Sequence, residues 1–262
     1  MPRLPDIVAA LERIAPGRLA AEWDSVGLLV APRDPAVRRV LTCLTLTPEV
    51  AAEAVRERID LVVAHHPLPF RPIGRITPDT GTGRVLLTLV GAGCGVWSSH
   101  TAWDSAAGGI NDQLAAHAGL AEPRPIAPDA VDPAVGFGRM GWAAADLTVA
   151  GLARRLADML GATGVQVVGD RDRAAGRVGI VCGSGGELVG QVTAADCATL
   201  VTGEIKLHQA CEARAANLAV IAVGHQASEH FAMAELGRRL GAELPDLETV
   251  ASREDRDPIG WL

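Results

Sequence analysis

The sequence predicts an α/β fold: two α/β lobes, each a mainly parallel but mixed sheet covered by helices. Three observations point there. Short apolar runs of strand length alternate with segments of helical period. The runs are apolar almost throughout, as expected of strands covered on both faces. A chain of 262 residues that is 48% hydrophobic and 21% charged can bury a core larger than one minimal domain needs.

Asp6 to Ile14 carries apolar positions at helical spacing, with Pro5 near its start and Pro16 beyond its end. Arg39 to Leu46 reads as a strand. Thr47-Pro48 then opens a helix through Glu57, with Thr47 as N-cap and Pro48 as first helical residue. Asp60 to Ala64 is a strand ending in His65-His66-Pro67. Gly83 to Val90 is helical, Gly95 to Ser99 a strand, and Asn111 to Ala118 a helix. Residues 121–134 hold four prolines and read as a linker. The lobes are therefore expected at 1–122 and 123–262. Beyond the linker come helices at Val149–Leu160, Ile205–Ala215 and Ser228–Leu240. Strands are expected at Gln166–Val168, Val178–Cys182, Thr199–Thr202 and Leu218–Val223.

The charge of −7 leaves no basic face for a phosphate backbone, and Lys206 is the sole lysine, so nucleic acid is not an expected partner. The five cysteines are scattered and form no CxxC pair, which suits free thiols in a reducing compartment. The start, MPRLPDIVAALERIAP, does not follow the pattern of a secretory signal, and no apolar run reaches the roughly 18 residues a span requires. A cytoplasmic protein without membrane contact is expected.

Three segments carry chemistry, each directly after an apolar strand. His65-His66 end the first; in an extended strand neighbouring side chains diverge, so each ring is expected to serve a different ion. His100-Thr-Ala-Trp-Asp104 offers nitrogen and oxygen ligands from one short loop. His225-Gln-Ala-Ser-Glu229 places an imidazole and a carboxylate about 5–6 Å apart on one helix face. Each also has a plainer reading as turn or cap residues. Their clustering at the carboxyl ends of strands, where open α/β sheets bind ligands, favours metal ligation. Gly183-Ser-Gly-Gly186 reads as a tight turn before it reads as an anion cradle, since it lacks a P-loop's Lys-Ser/Thr. Glu204 and His208, four apart after another strand, are candidates for proton transfer, and Lys206 for contact with an anionic substrate.

At these residues the chain resembles the Nif-three-like dinuclear metal centre proteins, also called GTP cyclohydrolase 1 type 2 homologues. The likeness runs through WDSVGLLV (23–30), VVAHHPLPF (62–70), SSHTAWDSAAGGINDQLA (98–115), GFGRMG (136–141), CGSGG, TGEIKLH and GHQASE, in that order. It implies a two-lobed protomer in a toroidal homohexamer, with the metal site between the lobes. The implied ligands are His65, His66, Asp104, His225 and Glu229, with His100 in or beside the shell, for two divalent ions per chain (zinc, iron or manganese). The implied activity is a dinuclear-metal-dependent hydrolase, GTP cyclohydrolase 1 type 2-like. It would act on a phosphoester or purine nucleotide through a metal-bound hydroxide, with Glu204 or His208 shuttling protons. The alternative is a non-catalytic ring that binds or buffers metal or scaffolds a partner protein. The chain departs from the family pattern at Ser25, Thr45 (usually aspartate), Pro69, Ala102 and Trp103, and none of these is a ligand.

Overall fold

A computed structural model describes residues 1–260. In chain order the elements are α1 (Leu4–Ile14), β1 (Gly27–Val30), β2 (Arg39–Cys43), α2 (Pro48–Arg56), β3 (Leu61–Ala64), α3 (Gly81–Ala92) and β4 (Gly95–Ser98). Then follow α4 (His100–Ser105), α5 (Ile110–Ala118), β5 (Ala121–Arg124), β6 (Ala127–Pro128), β7 (Gly136–Phe137), β8 (Arg139–Trp142) and α6 (Val149–Leu160). After them come β9 (Gln166–Val168), β10 (Arg177–Val181), α7 (Val189–Ala194), β11 (Thr199–Thr202), α8 (Leu207–Ala215) and β12 (Ala219–Ala222). The last are α9 (His225–Glu229), α10 (Ala232–Glu243) and β13 (Glu248–Ala251). None of the described helices is long and apolar enough to cross a membrane.

Contacts divide the chain into two compact units: Met1–Trp103 with Ala232–Pro258, and Asp104–Phe231 with the residues from Ile259. The first unit holds a five-stranded sheet in the order β1-β4-β3-β2-β13. All its neighbours are parallel except β1, which runs against β4. Side chains alternate across a strand, so Leu41, Cys43, Val62, Ala64 and Val96 meet Val50, Ala51 and Ala54 of α2 and Val85 and Leu89 of α3 on one face. α10 lies against β2 and β13, and the Thr42 hydroxyl donates to the Met233 carbonyl oxygen at 2.9 Å. Every residue of β3 is buried, as a strand covered on both faces requires.

The second unit holds a six-stranded sheet, β5-β8-β10-β11-β12-β9. Its centre, β10-β11-β12, is parallel, and the flanking strands are antiparallel. Met140, Val181, Val189, Val192, Leu200, Ala213 and Val220 form one apolar layer of this unit. α5 packs against β8, β10 and α6. A two-stranded ribbon, β6-β7, pairs Ala127 with Phe137.

Local signals held where the structure is local. Thr47 caps α2, accepting from Val50 N at 3.3 Å with Pro48 in the first turn, and α6 keeps its expected limits. Three expectations change. Residues 121–134 are not a bare linker, because β5 joins the second sheet through β8, and β6 the ribbon. The helix expected over Ser228–Leu240 is two, α9 and α10. His100 to Asp104 lie in a short helix, α4, rather than a loop. Cys43, Cys94, Cys182 and Cys197 are buried thiols, while Cys211 is exposed.

Candidate metal centre

The histidines and carboxylates singled out above stand at the carboxyl ends of β3, β4 and β12, just past Ala64, Ser98 and Ala222. Each unit holds its own set.

In the first unit, His65 and His66 do not diverge. Their ring centroids are 5.1 Å apart, and both lie near His100, at 5.2 and 5.6 Å. The reason is in the backbone. The N–H of His65 donates to Cys43 O and that of His66 to Leu44 O, both at 2.9 Å. Consecutive N–H groups of a regular strand point to opposite sides, so the chain is already turning there. One nitrogen from each of His65, His66 and His100 falls within 4.8 Å of the others. His65 is fully buried. The Thr45 hydroxyl meets His66 Nδ1 at 2.8 Å. Asp24, whose side chain is 1% exposed, holds His100 Nδ1 at 2.8 Å through Oδ1. Burial would raise the Asp24 carboxyl, but hydrogen bonds from His100 and Thr101 outweigh it and hold it below the usual carboxylate range. Trp23 and Phe70, both largely exposed, flank His100 at 5.8 and 5.9 Å.

In the second unit, Asp104 is buried and lies inside α4, so it is no helix cap. The Cys182 thiol donates to Asp104 Oδ1 at 3.1 Å. Asn111, itself fully buried, donates through Nδ2 to the Asp104 carbonyl at 3.0 Å and accepts from Cys182 N at 2.9 Å. Burial pushes the Cys182 thiol well up, and the Asp104 and Glu229 carboxylates add to this.

The N-cap of α9 is Gly224, and His225 and Glu229 are its first and last residues. Their spacing brings His225 Nε2 to 3.2 Å from Glu229 Oε2, while Nδ1 lies 3.5 Å from Glu204 Oε1. The Glu229 hydrogen bond, working against burial and helped by the charges of Glu229 and Glu204, raises His225 to about 9.

Gly183 is confined by this pair. It adopts φ +60°, and a Cβ there would fall 2.2 Å from Glu229 Oε1. Its N–H donates to Ser228 Oγ and that of Gly185 to Thr202 Oγ1, both at 2.9 Å. The glycine run is thus a tight turn whose N–H groups serve the fold. Ser184 donates its hydroxyl proton to Glu204. His208 is exposed on the first turn of α8, and Lys206 Nζ lies 3.9 Å from Glu187 Oε1, both of those side chains exposed.

Asp24, Asn111, Cys182 and Ser228 are the residues that spacing did not single out. All four lie inside the matching blocks, yet each acts on a partner far away in sequence or through the backbone. Nothing in their own neighbourhood announces the role.

Comparison with known proteins identifies the family and the fold. The Duf34/NIF3 (NGG1p interacting factor 3) family matches residues 2–258. A Clostridium perfringens protein named "GTP cyclohydrolase 1 type 2 homolog" is 30% identical over 99% of this chain and 100% of its own. A Streptomyces coelicolor protein of the same name is 37% identical over 94% of this chain and 88% of its own. Among solved structures, a Bacillus cereus protein related to NIF3 superposes with a TM-score of 0.92 at 21% identity, covering 100% of this chain and 99% of that one. With its fold, its ordered sequence blocks and these relatives in agreement, the chain belongs to the Duf34/NIF3 family.

Proposed function

We propose that this protein is a dinuclear-metal-dependent hydrolase, GTP cyclohydrolase 1 type 2-like, acting on a phosphoester or purine-nucleotide substrate. The observation that carries the reading is the gathering of His65, His66 and His100, one donor nitrogen of each within 4.8 Å of the others. The donor sets fit divalent ions of the zinc, iron or manganese kind: borderline imidazoles in the first unit, buried Asp104 and Glu229 beside His225 in the second. That both sets serve one centre of two ions rests on the family resemblance. A pair of such ions, when bound, supplies an activated water and charge stabilisation for the leaving oxygen.

The chain's own groups then have these tasks. His225, which lies between Glu229 and Glu204 and is raised by them to about 9, would hold a divalent ion through a ring nitrogen once that nitrogen is deprotonated. Glu204, half exposed, hydrogen-bonded by Ser184 and 3.5 Å from His225 Nδ1, is the proton-shuttle candidate that these contacts support better than exposed His208. Assembly into a homohexamer, implied by the resemblance, belongs to the same proposal.

The test is metal content per chain, by mass spectrometry, of protein purified without chelator, beside His65→Ala, Asp104→Ala and Glu229→Ala. About two divalent ions per chain, lost in the variants, followed by turnover in a panel of phosphoesters and nucleotides, is expected. Metal retained without turnover would favour a metal-binding ring. Absence of metal, with none regained on titration, would refute both.

A further inference from the structure

Beside His100 lies a carboxylate, Asp24, whose side chain is 1% exposed and whose two oxygens together meet four hydrogen-bonding partners. We propose that Asp24 is the positioning residue of the candidate metal centre: it locks His100 in the Nδ1–H tautomer, so that Nε2 carries the lone pair for a divalent ion. The proposal rests on the metal reading above and deepens it. At His66, Nδ1 is met instead by the Thr45 hydroxyl.

The hydrogen bonds make the case. Asp24 Oδ1 accepts from Ser25 N and meets His100 Nδ1, both at 2.8 Å. Its Oδ2 accepts from Thr101 N at 3.1 Å and from the Thr101 hydroxyl. The Thr101 hydroxyl in turn accepts from Ala21 N at 2.9 Å, which fixes the direction of its own proton toward Asp24. An ionised carboxylate only accepts. His100 Nδ1 therefore has to bring the proton, and the neutral ring is left with its lone pair on Nε2. These four contacts, on a side chain only 1% exposed, fix the carboxylate in place beside His100.

At His66 the chemistry is different. The Thr45 hydroxyl lies 2.8 Å from Nδ1, and a hydroxyl both donates and accepts. It is compatible with either tautomer of His66. Two histidines whose rings are 5.6 Å apart are thus supported unequally, one by a charge that makes its ring a stronger donor and one by a neutral, reversible partner.

Asp24→Asn is the informative change because it keeps size and removes one acceptor. If the amide oxygen stays toward Ser25 and His100, its NH₂ faces the Thr101 N–H, donor against donor. If the amide flips, the NH₂ faces His100 and Ser25, and His100 is driven to the Nε2–H form, which offers no lone pair at Nε2. The first arrangement keeps the acceptor but is disfavoured by that donor–donor contact; the second reverses the tautomer.

The experiment begins on the wild type. Long-range ¹⁵N–¹H spectra of the metal-free protein at about pH 8.5, above the ordinary histidine range, report each ring's tautomer, with His100 assigned by His100→Gln. The expected result is a pure Nδ1–H form for His100 in the wild type and a mixed or Nε2–H form in Asp24→Asn. Titration with Co²⁺ should show affinity ~10–100-fold weaker in Asp24→Asn, with altered d–d bands, while Thr45→Val leaves the His100 tautomer unchanged. An Nε2–H His100 in the folded wild type would overturn the proposal without any variant. Equal Co²⁺ affinity and spectra in wild type and Asp24→Asn would overturn the positioning role alone. A wild type that binds no Co²⁺ would remove the metal reading, and this proposal with it.

Discussion

Asn111 offers the sharpest test of how the second unit holds its carboxylate. Its side chain is fully buried and makes two hydrogen bonds to backbone: Nδ2 to the Asp104 carbonyl at 3.0 Å, and Oδ1 from Cys182 N at 2.9 Å. Asn111→Ala strands both groups out of reach of water. Each stranded group costs ~1–3 kcal/mol, so about 3 kcal/mol is expected for the pair, allowing for partial relaxation. Unfolding entropy of ~2.1 cal/mol/K per residue converts 1 kcal/mol to ~2 °C at this chain length, which gives a melting shift of about 5–6 °C. Asn111→Asp keeps the acceptor for Cys182 but turns a carboxylate oxygen toward the Asp104 carbonyl, and should lose at least as much. Thermal and urea unfolding, followed by circular dichroism, read the effect. If Asn111→Ala melted within about 1 °C of the wild type, the two bonds would contribute little, and this account of Asp104's placement would be wrong.

Three further outcomes are expected. Gly183→Ala forces a Cβ into a left-handed conformation, 2.2 Å from Glu229 Oε1. It should cost ~1–2 kcal/mol in stability and weaken divalent-ion binding measured by calorimetry. Wild-type affinity would mean that the carboxylate is free to move aside. Arg139, 1% exposed, donates to Asp112 and to the carbonyls of Gly136 and Gly138, the last two at 2.7 Å. Arg139→Lys cannot reach all of them and should lose ~2–4 kcal/mol in urea titration; a loss below ~1 kcal/mol would count against the network. Glu235 is lowered to about 2, chiefly by the Arg238 hydrogen bond, with Arg239 adding to it against burial. A folded-state value below the unfolded one stabilises above ~4.5 and is lost as pH falls toward 2. Because the pair is partly solvated, Glu235→Gln should cost only ~0.5–1 kcal/mol near neutral pH. The difference should shrink below pH ~4, and a cost independent of pH would show that charge is not its source.

The candidate ligands were legible because they follow apolar strands directly, and a strand's end is a local signal. Thr47-Pro48 announced α2 for the same reason. Other features depend on partners far along the chain. β1 is only half buried and is defined by pairing with β4. Residues 121–134 carry the prolines of a linker, yet β5 pairs with β8 at the sheet's outer edge, where a missing N–H is tolerated. The convergence of His65 and His66 was not readable from strand periodicity, because the backbone leaves that periodicity at Ala64. Asp24 was inside a matching block, but its task is set by His100, which lies 76 residues away.

The position of β13 has a consequence for how the chain is made. It closes the first unit's sheet by pairing with β2, Glu248 opposite Arg39 and Ala251 opposite Thr42. On a ribosome adding ~5–20 residues per second, β2 emerges roughly 10–40 s before its neighbour exists. All of Asp104–Phe231 is translated within that interval. The nascent protein therefore exposes an open, apolar strand edge while its middle is already complete, and open edges invite pairing with other chains. A truncation before Glu248 would make that interval permanent. Such a chain should aggregate from its N-terminal portion even though every proposed metal-binding residue is still present.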